Sequence, residues 1–520
     1  MLREVICPVE NDNLKELNAV RMDGFSRSEC LPNTRQYILK FITDWLTTPS
    51  GNENILWLHA MAGFGKSTIS TTIAEYFREL ERLGAFIFFS RNTTSNDPAV
   101  VIRTLSYQLA RFDPSIKAAV CTEIEHNPGI TEAAMRVQFA KLILEPLASL
   151  TALNTQGPVI VALDAIDECG DPISRKSLLT LLAQELAKLP SNFRFFITSR
   201  REPDIEAAFS GRSNIMAVDL HAMDQSKTAD VSLYIRHHIA ALPRDGLASD
   251  WPGEESIQAL INHSEGLFIW ASTAIKFIEE GYNPEQQLDT LLSSQSRAHA
   301  RSALDTLYDI ALGAAGKWDN SAAAEDFCAV LGAIAIGKTP LSDITLDQLL
   351  GLDGRRSSRY VLKHLRCLLQ WNPGQPVQIL HASFADYVTS QDRCGGRPWF
   401  VDLSIHHRIF ALACFRHMEA GLKFNICDLE TSHVFNDTVR DLDVRIKNCI
   451  SDHLSYACRF WADHLIQTNC DHNILPCLET FFQVRLLQWL EVLSLMKEVT
   501  IASRALKSIM NWTKVLLFHL

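Results

Sequence analysis

Short apolar runs alternate with amphipathic stretches between residues 55 and 220. The runs have the length of β-strands, and the segments between them have helical spacing. The five runs are residues 55–58, 85–90, 158–164, 193–199 and 215–220. This alternation is typical of a parallel sheet covered by helices on both faces. We therefore predict an α/β domain with three layers.

The pattern changes after residue 225, where the apolar runs stop and helical spacing continues. We predict a lead-in at 1–28, the α/β domain at 29–224, a helical domain at 225–318, a small module at 319–395 and a helical region at 396–520. Within the small module, the spacing predicts helices at 323–336, 345–353 and 358–370 and a strand at 377–380. No internal repeat of 20–50 residues is found in the sequence, which argues against a solenoid or propeller.

Charge and composition narrow the function classes. The 520-residue chain has a formal net charge of −11, which disfavours nucleic acid and anionic membranes as partners because both need a basic face. No sequence window reaches the roughly 18 apolar residues of a membrane span, and the amino terminus lacks the apolar core of a signal peptide. The 13 dispersed cysteines fit a reducing compartment, so we expect a cytoplasmic protein.

The segment 55–68, ILWLHAMAGFGKST, predicts a phosphate-binding P-loop because an apolar strand leads into it and an amphipathic helix follows. Gly63 and Gly65 let backbone N–H groups turn towards phosphate oxygens. We expect Lys66 to bridge the β- and γ-phosphates and the Ser67 hydroxyl to bind Mg²⁺. The expected nucleotide-binding residues of this loop are Gly63, Phe64, Gly65, Lys66, Ser67 and Thr68.

One position departs from the P-loop pattern. Ala60 replaces the first glycine of the motif. If that position needed a left-handed backbone, the alanine would cost about 1–2 kcal/mol. We therefore expect a tolerated change that slightly weakens the binding of phosphate.

A second part of the site is predicted from PVIVALDAIDECGD, residues 158–171. Asp164 ends a buried apolar strand, so its carboxylate is expected at the carboxyl edge of the sheet as a water-mediated Mg²⁺ partner. Asp167 and Glu168 follow where an attacking water would lie, and we favour Glu168 narrowly as the base. Arg200 follows the strand 193–199 and is expected to contact the γ-phosphate.

Taken in order, four segments resemble the NACHT-domain ATPases of the signal-transducing class of P-loop NTPases. They are LWLHAMAGFGKST (56–68), VALDAIDEC (161–169), FITSR (196–200) and GLFIWASTA (266–274). CLPNTR (30–35) is similar to fungal NOD-like-receptor proteins of the heterokaryon-incompatibility type. The resemblance covers about residues 29–390, and more loosely 456–464 and 487–496.

The resemblance implies further site residues and an architecture. Phe268 occupies the adenine-side position where the family usually has proline, and His381 matches the histidine that senses the diphosphate. Thr34 and Arg35 fall where family members close over the base and ribose. The nucleotide domain would be followed by a helical domain, a winged-helix-like domain at 319–395 and further helices. ADP would hold these closed, and exchange for ATP would open them for homo-oligomerisation and contact with a signalling partner.

Three functions remain open at this point. The first is a NACHT-type switch that uses ATP, ADP and Mg²⁺ and hydrolyses ATP slowly. The second is a continuously cycling ATPase or kinase, and the third is a winged-helix regulator that binds DNA. No guanine-reading N-K-x-D motif follows the acidic strand, which favours ATP.

Overall fold

The computed structural model describes residues 14–20, 27–48, 53–90, 97–150, 157–223, 227–243, 248, 250–294, 302–316, 318–352, 354, 356–431, 433–468 and 473–519. The chain divides into two compact units, Met1–Ala298 and His299–Leu520. Within the residues that the structure describes, every helix is too short or too polar to span a lipid bilayer.

A sheet of five parallel strands forms the centre of the first unit. The strands are β1 (Ile55–His59), β2 (Leu83–Phe88), β3 (Val159–Asp164), β4 (Phe193–Ser199) and β5 (Ile215–Asp219). Their order in the sheet is β2-β3-β4-β1-β5, and all four pairings are parallel. The predicted strands are confirmed, although the second begins two residues earlier than its apolar run.

The first unit also contains thirteen α-helices with bounds in its described residues. They are α1 (Gln36–Thr47), α2 (Lys66–Glu79), α3 (Val101–Phe112), α4 (Pro114–His126), α5 (Met135–Phe139), α6 (Glu145–Ser149), α7 (Lys176–Glu185), α8 (Pro203–Phe209), α9 (Leu220–Met223), α10 (Lys227–Ala241), α11 (Glu254–His263), α12 (Phe268–Glu279) and α13 (Pro284–Ser294).

Two hydrophobic cores lie on opposite faces of the sheet, because successive side chains of a strand point to opposite sides. Ile55 and Trp57 of β1 belong to the core that includes residues of α3, α4 and α7. Leu56 and Leu58 belong to the core that includes residues of α1 and α2. All residues of β1, β3 and β4 are buried as a result. The predicted three-layer α/β fold is therefore confirmed.

The second unit is mainly helical and includes a two-stranded antiparallel sheet. Its elements are α14 (Ala303–Ala315), α15 (Ser321–Ile336), α16 (Asp343–Leu350), α17 (Arg359–Leu362), β6 (Leu369–Gln370), β7 (Gln378–Ile379), α18 (Ala382–Val388), α19 (Gln391–Cys394), α20 (Leu403–Gly421), α21 (Leu442–Cys449), α22 (Asp452–Leu465), α23 (Ile474–Thr480), α24 (Leu486–Leu495) and α25 (Thr500–His519). The largest helices of this unit confirm the predicted helical character of the carboxyl half.

The helix predicted over 358–370 is wrong in its second half. The helix α17 ends at Leu362, and residues 363–368 form turns with hydrogen bonds such as Leu368 N–H to Leu365 C=O at 2.8 Å. Leu369 then pairs with Ile379 in the antiparallel sheet, so strand pairing prevails over the helical spacing. The strand predicted at 377–380 is confirmed at Gln378–Ile379. The winged-helix-like assignment and the four boundaries between the five predicted segments stay predictions.

Candidate functional site

The predicted P-loop joins β1 to α2 at the carboxyl edge of the sheet. Gly63 and Gly65 have φ angles of 85° and 82°, in the left-handed region that favours glycine. Ala60 lies outside that region. The alanine at the first glycine position of the motif therefore causes no left-handed strain, and the expected cost of this replacement does not apply.

Lys66 is the first residue of α2, and its side chain turns back into the loop. Its Nζ donates hydrogen bonds to the carbonyl oxygens of Ala60 at 2.8 Å and Met61 at 2.9 Å. Burial lowers the pKa of this ammonium group to about 8, although the negative charge of Asp167 opposes that shift. The loop thus encloses a cation that has lost most of its contact with water.

Ser67 and Thr68 follow in the first turn of α2, and both are half-buried. Their backbone carbonyls accept hydrogen bonds from Thr71 Oγ1 at 2.9 Å and Thr72 Oγ1 at 2.8 Å. These hydrogen bonds lie within α2 and use the backbone carbonyl oxygens of the two residues. Their position at the start of the helix is the one that the P-loop pattern assigns to phosphate and Mg²⁺ contacts.

Asp164 is the last residue of β3 and is fully buried. Its Oδ1 accepts a hydrogen bond from Thr198 Oγ1 on the neighbouring strand β4 at 2.6 Å. Its Oδ2 pairs with the guanidinium of Arg27, which also lies over the ring of Phe88 at 4.3 Å. Asp164 was predicted from the sequence as a site residue, whereas its partners Thr198 and Arg27 were not.

The acidic turn after β3 is fixed by contacts to Thr198 of β4 and to Arg200, which follows that strand. Ala165 has a φ of 58° and starts a 3₁₀ turn over Ile166–Glu168. Asp167 is buried, and its Oδ1 accepts the backbone N–H of Arg200 at 3.0 Å. Its Oδ2 lies 3.3 Å from Arg200 Nε. Glu168 is half-buried at the end of the same turn.

Arg175 is a further residue of this region that the sequence did not suggest. It is 4% exposed, and its Nη1 donates to the backbone carbonyl of Asp167 at 2.7 Å. Its Nε and Nη2 donate to the two carboxylate oxygens of Asp204, at 2.7 and 2.9 Å. Arg175 therefore ties the acidic turn to the start of α8. A single arginine in a polar segment offers no sequence signal for this function.

The structure brings the charged residues of the predicted site together. Lys66 experiences the electrostatic effects of Asp167, Arg200, Asp164 and Glu168. Hydroxyl and carboxylate oxygens are ligands that Mg²⁺ prefers, so the Ser67 and Asp164 side chains are chemically suited to this ion. The left-handed glycines and the buried ammonium are likewise suited to the phosphates of a nucleotide.

The residues expected near the base lie beside the P-loop in the same unit. Arg35 is buried with a φ of 58°, and its Nη2 donates to the carbonyl of Phe64 at 2.7 Å. Its backbone N–H donates to Asp230 at 3.1 Å, and its guanidinium lies 4.7 Å from the centre of the Phe268 ring. Thr34 is also buried, and its hydroxyl donates to the Leu31 carbonyl at 2.7 Å. The structure thus brings Arg35 and Phe268 together, whereas the hydroxyl of Thr34 is used locally.

The start of α12 packs directly on the P-loop. The N–H of Ile269 donates to the Gly63 carbonyl at 3.3 Å. A Cβ atom added at Gly63 would lie 2.1 Å from Ile269 Cγ2. The helix that carries Phe268 therefore touches the loop at a position where only glycine fits.

His381 belongs to the second unit and caps α18. Its Nδ1 accepts the backbone N–H of Ser383 at 3.2 Å and shares a 2.7 Å hydrogen bond with the Ser383 hydroxyl. The same hydroxyl lies 2.8 Å from the hydroxyl of Tyr308. These contacts give His381 a local structural role, and its proposed diphosphate-sensing role stays a prediction.

Comparison with known protein families identifies one similarity. The family model described as "Nephrocystin 3, N-terminal" matches residues 33–200, which is less than half of the chain. The matched range includes the P-loop, the acidic turn and Arg200. No curated protein matches the chain significantly.

Comparison with solved structures identifies distant similarities at low identity. A signal-transduction ATPase with numerous domains (STAND) and a tetratricopeptide-repeat sensor, from Pyrococcus horikoshii, is 12% identical with a TM-score of 0.39. That match covers 92% of this chain, which spans only 64% of the length of that protein. Cdc6p from Pyrobaculum aerophilum is 13% identical with a TM-score of 0.28, covering 68% of this chain and 91% of that one. The ORC2 protein of Aeropyrum pernix is 14% identical with a TM-score of 0.31, covering 68% and 92%.

Proposed function

We propose that this protein is a nucleotide-operated switch that binds ATP and ADP with Mg²⁺ and hydrolyses ATP slowly. The observation that carries the proposal is the buried ammonium of Lys66, enclosed by the P-loop and influenced by Asp164, Asp167, Glu168 and Arg200. A buried cation at the start of a helix, beside left-handed glycines, is the arrangement that binds phosphate groups.

The proposed roles follow from where each side chain lies. In the nucleotide-bound protein, phosphate oxygens would replace the Ala60 and Met61 carbonyls as partners of Lys66. The Ser67 hydroxyl would bind Mg²⁺ directly and Asp164 would hold it through a water molecule; when bound, Mg²⁺ stabilises the negative charge that develops on the phosphates. Thr68 would contact the α-phosphate, as its place in the first helical turn suggests.

Hydrolysis needs a group that orients a water molecule and accepts its proton. We propose Glu168 as the base, because it lies at the end of the acidic turn after β3 and its charge acts on the P-loop lysine. The water oxygen would bond to the γ-phosphorus while the bond to the β–γ bridging oxygen breaks, and the water proton would pass to Glu168. Arg200 would stabilise the departing phosphate through its positive charge.

The contact between the P-loop and α12 supports a switch rather than a simple enzyme. The backbone N–H of Ile269 donates to the Gly63 carbonyl, and the Ile269 side chain packs against Gly63. A change in the loop on nucleotide binding would therefore alter these contacts at the start of α12. Arg35 links the same region to Asp230 of α10 and to Phe268. These contacts offer a route from the phosphates to the helices that follow the sheet.

The finer parts of the proposal rest on resemblance to NACHT proteins. They are homo-oligomerisation on exchange of ADP for ATP, contact with a signalling partner, a cytoplasmic location and a role like that of fungal NOD-like receptors. The STAND protein of Pyrococcus horikoshii is named as a signal-transduction ATPase, which agrees with this class.

The test is the nucleotide content of the purified protein. The full chain would be purified without added nucleotide and denatured, and the released compounds identified by chromatography. We expect nearly stoichiometric ADP from the wild type and little from Lys66→Ala. Lys40→Ala is a matched control, because Lys40 is an exposed lysine of α1 that pairs with Asp44. An empty wild-type protein that turns over ATP many times per second would contradict the switch.

A further inference from the structure

The described residues before α1 are anchored on both faces of the sheet. We name residues 14–20 and 27–35 the amino-terminal strap. Leu14 and Leu17 are buried in the core that includes α3, and the Val20 N–H donates to Thr104 of α3 at 3.2 Å. The Cys30 N–H donates to Thr72 of α2, on the opposite face, at 2.9 Å. The strap is therefore held at two places that the sheet separates.

Arg27 lies between these two anchors in sequence and reaches the carboxyl edge of the sheet. Its guanidinium pairs with Asp164 Oδ2 at the end of β3 and lies over Phe88 at the end of β2. The Arg27 side chain is 28% exposed, whereas that of Asp164 is fully buried. The strap thus provides the positive charge that a buried carboxylate requires.

The same carboxylate is the Mg²⁺ partner in the proposed function, on which this inference rests. Its other oxygen, Oδ1, accepts a hydrogen bond from Thr198 Oγ1 at 2.6 Å. A guanidinium in hydrogen-bonding contact with Oδ2 and a divalent cation beside it would repel each other strongly at such short range. Arg27 and the water molecule that would link Asp164 to Mg²⁺ therefore compete for Oδ2 of Asp164.

We propose that Arg27 is the resident counter-ion of Asp164 and that binding of Mg²⁺ with a nucleoside triphosphate displaces it. When Arg27 leaves Asp164, the strap loses its contact at the carboxyl edge while its anchors on Thr104 and Thr72 remain. The contact between the strap and Asp164 is therefore present when the metal site is empty and absent when Mg²⁺ is bound. A nucleoside diphosphate bound without metal leaves the Arg27–Asp164 pair in place.

Thermodynamic linkage predicts how much the affinity for Mg²⁺ should change when Arg27 is removed. If Arg27 and Mg²⁺ exclude each other, removal of Arg27 strengthens Mg²⁺ binding by the factor by which Mg²⁺ weakens the docking of Arg27. A hydrogen bond to a charged group is strong enough for a factor of about tenfold. The gain requires the metal, so in the presence of a chelator Arg27→Ala should not bind the nucleotide more tightly than the wild type does.

The first measurement is the Mg²⁺ requirement for binding of a non-hydrolysable ATP analogue to the full chain. We expect half-saturation of Arg27→Ala at a Mg²⁺ concentration about tenfold lower than that of the wild type, with Arg27→Lys in between. Arg136→Ala is the matched control, because Arg136 pairs with the buried carboxylate of Glu185 at 3.0 Å away from the P-loop. This control should retain the wild-type Mg²⁺ requirement.

The second measurement uses the wild-type protein and needs no variant. Trypsin cleaves after arginine, so the rate of cleavage between Arg27 and Ser28, followed by mass spectrometry, reports release of the strap. We expect Mg²⁺ with the ATP analogue to accelerate this cleavage by about the same tenfold factor, and ADP with a chelator to leave it slow. Cleavage after the exposed Arg136 serves as the internal reference.

The outcomes separate this inference from the proposed function. The competition would be overturned if the wild type and Arg27→Ala had equal Mg²⁺ requirements, or if the rate of cleavage at Arg27 did not depend on Mg²⁺. Either result would leave the proposal of nucleotide binding intact. Tighter binding of the ATP analogue by Arg27→Ala in the chelator, to the same extent as with Mg²⁺, would show that the gain does not involve the metal, which also overturns it. Absence of nucleotide binding by the wild type would overturn both proposals.

Discussion

Thr198 holds the buried carboxylate of Asp164 from the neighbouring strand. Its Oγ1 donates to Asp164 Oδ1 at 2.6 Å and accepts the backbone N–H of Ala165 at 2.9 Å. One hydroxyl therefore fixes both the carboxylate and the left-handed residue with which the acidic turn begins. The orientation of the proposed metal partner depends on β4 as much as on the strand that carries it.

Replacement of Thr198 by valine should weaken both the fold and the site. The variant keeps the shape of the side chain but leaves Asp164 Oδ1 and the Ala165 N–H without this partner, which should cost about 1–3 kcal/mol of the free energy of unfolding. Urea denaturation measures that loss, and Mg²⁺-dependent nucleotide binding should weaken in parallel. Thr198→Ser retains the hydroxyl and should lie close to the wild type. Equal losses in both variants would show that the methyl group matters and the hydroxyl does not.

Gly63 should not tolerate a side chain while Ile269 is present. Gly63→Ala forces a left-handed alanine, at about 1–2 kcal/mol, and places its Cβ 2.1 Å from Ile269 Cγ2. We expect weaker nucleotide binding and a lower urea midpoint than the backbone strain alone would produce. In the double variant with Ile269→Ala, the clash should disappear and the backbone strain should remain.

Urea denaturation of the wild type, the two single variants and the double variant gives the coupling between Gly63 and Ile269. Gly129→Ala is the matched control, because Gly129 has a φ of −92° and no neighbouring atom within 4 Å of an added Cβ. Additive effects of the two substitutions would mean that α12 does not press on the P-loop.

Arg175 should contribute to the site through the acidic turn that it holds. Arg175→Met removes the two hydrogen bonds to Asp204 and the bond to the Asp167 carbonyl. We expect a loss of about 2–3 kcal/mol of unfolding free energy, since these bonds come from a charged and buried donor. Hydrolysis of ATP should slow even where the variant is fully folded, because Glu168 is then less well positioned.

Arg201→Ala is the appropriate comparison for Arg175. Arg201 also follows β4 and pairs with Glu206 of α8, but both side chains are exposed. Exposed ion pairs contribute little, so this variant should denature like the wild type. A similar loss in both variants would assign the effect to α8 in general and not to the acidic turn.

The sheet and the P-loop could be predicted because their signals are local. The strands are mainly apolar runs, as expected for strands buried on both faces, and the motif around Lys66 follows one of them. Asp164 was predictable for the same reason, since it ends such a run. The FITS segment of β4 offered a weak signal for Thr198, because a polar residue near the end of a buried strand reaches the same edge of the sheet.

The partners of these residues could not be predicted, because they depend on contacts between distant parts of the chain. Arg27 and Asp164 are 137 positions apart, and nothing in the segment around Arg27 marks it as a partner of the site. The helix predicted over 358–370 failed for a related reason. Pairing of Leu369 with Ile379 is a tertiary interaction, and local helical spacing at these residues does not include it.

Two buried histidines of the second unit lie in a hydrogen-bonded chain with a tyrosine. The backbone N–H of Lys338 donates to the Tyr456 hydroxyl at 3.2 Å, and that hydroxyl lies 2.8 Å from His464 Nε2. His464 Nδ1 and His407 Nδ1 lie 2.9 Å apart, so one of these two nitrogens donates and the other accepts. When both rings are protonated, two donors face each other.

The stability of the second unit should therefore fall in mild acid. Burial, with smaller effects of the charges at Lys338 and His406, lowers the pKa of His407 to about 4, and burial lowers the pKa of His464 as well. Since the unfolded chain binds these protons near pH 6.5 and the folded one does not, the contribution is complete above about pH 6.5 and is lost as the pH falls towards 4. We expect a loss of roughly 1–2 kcal/mol from His407 by pH 5, measured by urea denaturation at several pH values.

His407→Gln isolates this contribution from the rest of the acid response. The glutamine amide can accept a hydrogen bond from His464 Nδ1 or donate one to it and does not itself titrate, so the variant should be less sensitive to pH between 7 and 5 than the wild type. His433→Gln changes an exposed histidine of the same unit and should keep the wild-type pH response. If His407→Gln and the wild type lose stability equally over this range, the acid response comes from other groups, and the histidine pair has only a packing role.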